Sequence, residues 1–197
     1  MEFLKAIPTG TLLFNLVLYG CLPLWLIFGF LDWYCHKKSK IESTTGAKES
    51  FYHALMGVQV GLPVFLGLCF EINCLQFIII FLILIAHEVV AHLDVQYALH
   101  KREISILEVH VHSFLETLPF VIVALIIIIN WSAFVDFISF NWAGHLDLVW
   151  KQRPLDSNYV FGYFFTLIFL DVIPFVEEFI RCYRYKHSNS SEAQISE

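Results

Sequence analysis

The sequence predicts an all-α, polytopic membrane bundle of about five transmembrane helices, with the N-terminus outside and the C-terminus in the cytoplasm. The 197-residue chain is 58% apolar and its mean hydropathy is +0.68, whereas soluble domains are about 45–50% apolar. Residues 11–31 contain no charged side chain. An uncharged apolar stretch of roughly 20 residues is long enough to cross a bilayer.

The other spans follow from the same pattern along the chain. The five predicted spans are residues 11–31, 53–70, 75–94, 117–135 and 159–180. Pro23 predicts a bend in the first span, because proline removes a helical hydrogen bond. Trp131, Trp142 and Trp150 favour the headgroup region, so the connection between spans 4 and 5 is predicted to hold an interfacial or re-entrant piece.

The basic residues decide the predicted orientation. Nine of the 12 Lys and Arg residues follow spans 1, 3 and 5, and the other three are Lys5, Lys151 and Arg153. The positive-inside rule then places the ends of spans 1, 3 and 5 in the cytoplasm. We therefore expect a multi-pass protein of the cytoplasmic (inner) membrane, with one domain over residues 1–186 and a polar, disordered tail over 187–197. No Lys/Arg run points to nucleic acid.

Ionisable residues gather at the predicted cytoplasmic ends of the spans, where they are costly and therefore informative. His and acidic residues repeat there at intervals of four, which places them one helical turn apart on one face. The pairs are Asp32 with His36, Glu49 with His53, Glu88 with His92, and Glu108 with His112. His87 and Asp94 are seven residues apart and share a neighbouring face, whereas His110 joins only if its segment is extended or bent. Asp171, Glu177 and Glu178 reach the same end in span 5.

These residue types predict a metal site. Neutral imidazole and carboxylate are the ligands that iron, zinc and manganese share. The candidates exceed what one ion needs, so we expect two metal ions, with some of the carboxylates orienting the imidazoles; iron is favoured, and zinc and manganese stay open. The candidate ligands are Asp32, His36, Glu49, His53, His87, Glu88, His92, Asp94, Glu108, His110 and His112.

The run from His87 to His92 resembles the first HxxxxH box of the membrane histidine-box oxygenases, which include fatty-acid desaturases, fatty-acid hydroxylases and alkane hydroxylases. The resemblance implies two irons at the cytoplasmic ends of the spans and dioxygen chemistry on lipid chains. The later boxes of that group contain adjacent His-His pairs, and this chain has only His110-Val111-His112 in a comparable place.

A second resemblance covers most of residues 30–120. Asp32-x-x-x-His36, Glu49-Ser50-x-x-His53, Asp94-x-x-Tyr97-Ala98 and Glu108-x-His110-x-His112 resemble a group of short bacterial multi-pass membrane proteins whose members are often labelled diguanylate cyclases. The chain has no GGDEF-type signature and no soluble domain of the size that this activity needs. We therefore carry no activity over from that label.

Three functions fit these expectations. The first is an oxygen-dependent oxidase, hydroxylase or desaturase that acts on a lipid-like substrate in the bilayer and takes electrons from a donor. The second is an intramembrane zinc hydrolase in which Glu88 is the catalytic base and the metal generates hydroxide near neutral pH. The third is a metal or proton carrier without catalysis, but the outer halves of the spans are almost free of ionisable groups apart from Glu71.

Overall fold

The computed structural model describes residues 7–195, with side chains described through Ser188. Five helices are long and apolar enough to cross a membrane, which confirms the predicted membrane bundle of about five spans. We number the helices α1–α6 and include the short α5, which is too short to span. Their bounds are α1 Thr9–Ser39, α2 Ala47–Cys69, α3 Cys74–Leu99, α4 Ile106–Ile129, α5 Trp131–Ile138 and α6 Ser157–Ile195.

Both α1 and α6 contain a π-helical turn, at Val17–Cys21 and Ile168–Val172 respectively. Each turn ends two residues before a proline, Pro23 or Pro174. Proline cannot donate to the carbonyl one turn earlier, and its ring crowds that carbonyl. A π-helical turn widens the backbone at this point, so both spans continue past the proline.

Span 4 begins at Ile106 and ends at Ile129, earlier than the predicted residues 117–135. The prediction placed the start too late because Glu108, His112 and Glu116 lower the hydropathy of the first three turns. Ser105 begins the helix by accepting a hydrogen bond from the backbone N–H of Glu108 at 3.2 Å. This is an N-cap, which satisfies a backbone donor that the helix itself leaves free.

The apolar core lies between α1, α2, α4 and α6. Its buried members include Leu22, Trp25 and Leu26 of α1, with Leu118 of α4 and Tyr163 of α6 packed against them. Helix α3 packs mainly along α2. The core occupies the halves of the spans that lead away from the 40–46 and 100–105 connections, so the polar residues near those connections form a separate layer.

At the opposite end, the connection after α5 folds back over the turn between α2 and α3. A β-bridge joins Phe70 and Trp150, and Glu71 accepts a hydrogen bond from the backbone N–H of Gln152 at 2.9 Å. Helix α5 lies in the connection for which the tryptophans predict an interfacial or re-entrant piece, and its place at the membrane interface stays a prediction. The orientation of the termini and the disorder of residues 187–197 stay predictions, and Lys5 lies outside the described residues.

Candidate metal centre

Three imidazoles and five carboxylates from all five spans meet in one buried group. We call it the His–carboxylate cluster, and its members are Asp32, His36, Glu49, His53, Asp94, Glu108, His112 and Glu178. Seven of them are buried and His112 is partly buried. The cluster lies where α1 and α3 end and where α2 and α4 begin.

Two stacked imidazoles form the centre of the cluster. The rings of His36 and His53 lie 4.3 Å apart between centroids and are inclined by only 6°. Glu178 joins them, because its two oxygens lie 3.2 Å from Nδ1 of His36 and 3.3 Å from Nδ1 of His53. An imidazole that donates from Nδ1 keeps a lone pair on Nε2 for a metal ion.

The Nε2 atom of His36 faces a group of acids without making an in-line hydrogen bond. Carboxylate oxygens of Glu108, Asp32 and Glu49 lie 3.3, 3.6 and 3.9 Å away. Two ligand atoms bound to one tetrahedral ion at 2.0–2.2 Å are roughly 3.3–3.6 Å apart. The spacings to Glu108 and Asp32 therefore fit donor atoms around a shared ion, whereas the spacing to Glu49 is slightly longer than this range.

Among the residues that the structure describes, two groups of side chains have donor atoms close enough to hold an ion, within 4.8 Å of one another. One group is Asp32, His36 and His112, in which Nε2 of His112 lies 2.8 Å from Asp32 Oδ1. The other is His36, Glu49 and His53. His36 belongs to both groups, but because its Nδ1 lies against Glu178, its Nε2 lone pair can bind an ion in only one of them.

Arg102 closes the cluster on the side of the connections. Its guanidinium donates to Glu49, with Nη2 to Oε1 at 2.5 Å, and also to Glu108. Burial alone would lower the pKa of Arg102, but hydrogen bonds to Glu108 and Glu49 outweigh it and raise the pKa above its usual value. The side chain is 3% exposed. It is thus a fixed positive charge between two helix N-termini.

The two acids that Arg102 binds are each in the first turn of a helix. Glu49 follows the N-cap Gly46 of α2, and Glu108 follows the N-cap Ser105 of α4. The positive end of the helix dipole stabilises carboxylates in this position. The sequence thus places negative charge where the backbone itself favours it.

An apolar cavity of about 660 Å³ adjoins the cluster on the membrane side. Asp32, His53, Asp94 and His112 line one part of it. The rest is mainly apolar, and it includes side chains such as Trp25, Phe51, Leu115 and Phe175. This volume lies within the range of small-molecule sites, which are roughly 300–1,000 Å³.

The structure brings together seven of the eleven residues predicted as ligands: Asp32, His36, Glu49, His53, Asp94, Glu108 and His112. The other four lie apart from the cluster. His110 is exposed and its Nδ1 lies 2.7 Å from the Ile106 carbonyl, because a helix turns a residue two positions from His112 by about 200°. His92 is turned away from Asp94 for the same reason and is exposed beside the cavity.

His87 and Glu88 are the remaining two. His87 is buried on the cavity wall, and its Nδ1 has no hydrogen-bond partner among the described residues. Glu88 is partly buried and likewise forms no contact with the cluster among the described residues. Neither its place as a ligand nor its place as a catalytic base follows from the geometry.

Two members of this site were not among the predicted ligands. Glu178 could have been chosen from its distance to Asp171, since seven residues bring side chains back to the same face of a helix. Arg102 gives no such signal in the sequence. A single arginine in a connection looks the same as any basic residue that sets the orientation of the chain in the membrane. Its role is apparent only from the structure, in which its guanidinium contacts both Glu49 and Glu108.

No protein-family model, curated protein or solved structure matches the chain. Both resemblances described above therefore stay predictions. What the structure shows is a membrane-like helical protein with buried His, Asp and Glu groups that could hold a metal ion.

Proposed function

We propose that this chain is a membrane metalloenzyme that holds two divalent ions, with iron favoured, and oxidises a lipid-like molecule bound in the adjoining cavity. The observation that carries the proposal is the convergence of imidazoles and carboxylates from five separate spans on one buried cluster. Interfacial preference explains single polar residues at span ends. It does not explain five spans that turn such residues toward one point.

The charge of the cluster supports two ions. Five ionised carboxylates with Arg102 leave a net charge of −4 when the imidazoles are neutral. Such a charge is very costly away from water. Two divalent ions would neutralise it, whereas protonation of all three imidazoles would still leave −1. The ligand chemistry agrees, because imidazole and carboxylate together suit iron, zinc and manganese.

The roles of the residues follow from their positions. Asp32, Glu49, His36, His53 and His112 would hold the ions, as the two groups of donor atoms indicate. Glu178 would orient the two stacked imidazoles, since it lies on the Nδ1 atom of each. Carboxylates that orient metal-bound histidines in this way strongly affect affinity.

The cavity supports a lipid-like substrate. Its lining is mainly apolar, it lies within the spans, and it reaches four members of the cluster. Bound iron would supply one-electron and dioxygen chemistry. The chain itself would bind the apolar molecule next to the cluster and keep water from it, and an external donor would supply electrons.

The first test is the metal content of protein purified in detergent, by mass spectrometry of the elements and Mössbauer spectroscopy. We expect about two irons per chain in the wild type. His36→Ala, His53→Ala and His112→Ala should each lose about one ion, because each removes one imidazole from a donor group. The matched control is His110→Ala, two residues from His112 on the same helix, which should keep the full content.

Other outcomes separate the alternatives. Bound zinc in place of iron would favour the hydrolase, and weak, exchangeable binding of several metals would favour a carrier. A metal-free wild type that stays folded would refute the proposal and leave a network of protonated imidazoles. Oxidation is tested by dioxygen consumption of the reduced protein with cell lipid extract, for which His36→Ala is the blank.

A further inference from the structure

We infer that Asp171 binds a neutral hydroxyl group of an elongated apolar molecule in the cavity, at a point separate from the metal centre. Naming that molecule as the substrate rests on the proposed function; the binding itself does not. Asp171 is in none of the candidate metal groups. It lies near the middle of α6, on the wall of the cavity.

Asp171 is a carboxyl group in a place where a carboxyl group is costly. Its side chain is buried, and Oδ2 has no hydrogen-bond partner among the described residues. An ionisable residue inside a span is expensive unless it has a partner, and it commonly marks a functional position. It also lies within the π-helical turn Ile168–Val172, and such turns are frequent at functional sites because they redirect side chains.

The opposite helix makes room for this carboxyl group. A Cβ atom at Gly29 of α1 would collide with Asp171 Oδ1. Gly29 and Asp171 both line the cavity. Glycine costs helix stability, so its presence here is explained by the space that the Asp171 carboxyl group needs.

Outside the His–carboxylate cluster, the wall of the cavity has a second polar atom without a hydrogen-bond partner. His87 of α3 is buried on its wall, and its Nδ1 forms no hydrogen bond within the part of the chain that the structure describes. These two unpartnered groups outside the cluster, within mainly apolar walls, fit a ligand that is apolar over most of its length and carries a polar group. An anionic group is disfavoured there by the Asp171 carboxyl group.

The cavity also bears on the length of the ligand. Asp171 lies against Gly29, which is three residues from Asp32 of the cluster, or about 4.5 Å along α1. A hydroxyl group at Asp171 is therefore close to the cluster, and the cavity of about 660 Å³ has room for a long apolar remainder. Long-chain alcohols fit this description, and small polar metabolites do not.

The experiment compares two labelled probes, 1-hexadecanol and n-hexadecane, on immobilised protein in detergent, with empty micelles subtracted. The wild type should bind the alcohol about tenfold more tightly than the alkane, as expected for one well-formed hydrogen bond in a dry site. Asp171→Leu should remove this preference by weakening alcohol binding alone. Asp171→Asn should keep it, because an amide both donates and accepts.

Gly29→Ala tests the same idea without altering the carboxyl group. It should reduce the preference, because the new methyl group displaces the Asp171 side chain. The matched control is Gly162→Ala on α6, where an added Cβ meets no atom within 4 Å, and it should bind both probes like the wild type. Gly29→Ala also decides the question should Asp171→Leu fail to fold.

The inference is overturned if the wild type does not prefer the alcohol, or if Gly29→Ala and any folded Asp171→Leu protein keep the preference. Metal content is measured on each protein and should not change, because Asp171 is outside the donor groups. Loss of the alcohol preference with full metal content supports the inference. A metal-free wild type that still prefers the alcohol would refute the proposed function and leave the inference intact.

Discussion

Replacing Arg102 by methionine should destabilise the fold more than any other single change in the connections. Arg102 is the one described cation in direct contact with Glu49 and Glu108, to which it donates hydrogen bonds at 2.5–3.3 Å and one shorter. Methionine keeps the apolar stem and removes the charge. Because both acids then stay buried without their partner, we expect a loss of about 3–5 kcal/mol in the free energy of unfolding.

The measurement is unfolding by SDS in mixed micelles, followed by circular dichroism at fixed metal concentration. Lys101→Met is the matched control at the preceding position. Lys101 is exposed and its ammonium donates to the Tyr97 hydroxyl at 3.0 Å, so its loss should cost less than about 0.5 kcal/mol.

A double variant separates lost charge pairing from lost packing. Glu108→Gln removes one of the two acids that Arg102→Met leaves unpaired, so the combination should be less damaging than the sum of the single changes. We expect a coupling of about 0.5–3 kcal/mol. The reasoning is refuted if Arg102→Met is as mild as Lys101→Met, or if the two changes are strictly additive.

Two further predictions concern the metal itself. Glu178→Gln should weaken metal binding by about 10–100-fold, because Glu178 fixes two imidazoles through their Nδ1 atoms; Glu177→Gln, next to it but partly exposed, should change the affinity little in the same titration. Removal of both metal ions with a chelator should lower the free energy of SDS unfolding by about 2.7 kcal/mol for each ion, relative to protein with free metal at 100 times the dissociation constant of each site. An unfolding midpoint that ignores the chelator would contradict a structural contribution from the ions.

Much of the fold follows from the sequence, because an uncharged stretch of sufficient length has no other stable place than a membrane. The candidate site follows only in part. Spacing by four shows that two side chains share a face, as Asp32 with His36 and Glu49 with His53 do in the cluster. The same spacing in Glu88 and His92 does not bring them there.

The difference lies in α3, whose faces are almost equally apolar. In a soluble helix an apolar stripe identifies the buried face, but lipid and protein interior are both apolar, so the stripe carries no such information here. The side chain that decides the orientation of α3 is Asp94, whose Oδ2 lies 3.1 Å from His53 Nε2. Once Asp94 faces inward, the helical period turns His92 away.

The position of the cluster follows from the same physics. Helices α2 and α4 begin at this end, and their dipoles favour Glu49 and Glu108 in the first turn. Helix α1 ends here, with His36 in its last turn. Antiparallel packing thus brings the acidic N-termini of α2 and α4 beside the imidazole at the end of α1.

This arrangement also bears on the proposed reaction. Charged ligands are least costly near the end of a span, whereas an apolar substrate is best bound deeper within it. The cavity joins the two regions, since Asp32 and His112 lie at one part of its wall and Trp25 and Leu115 at another. A substrate held in the cavity would meet the metal ligands without leaving the apolar layer. The proposed oxidation therefore does not require that the lipid be transferred into water.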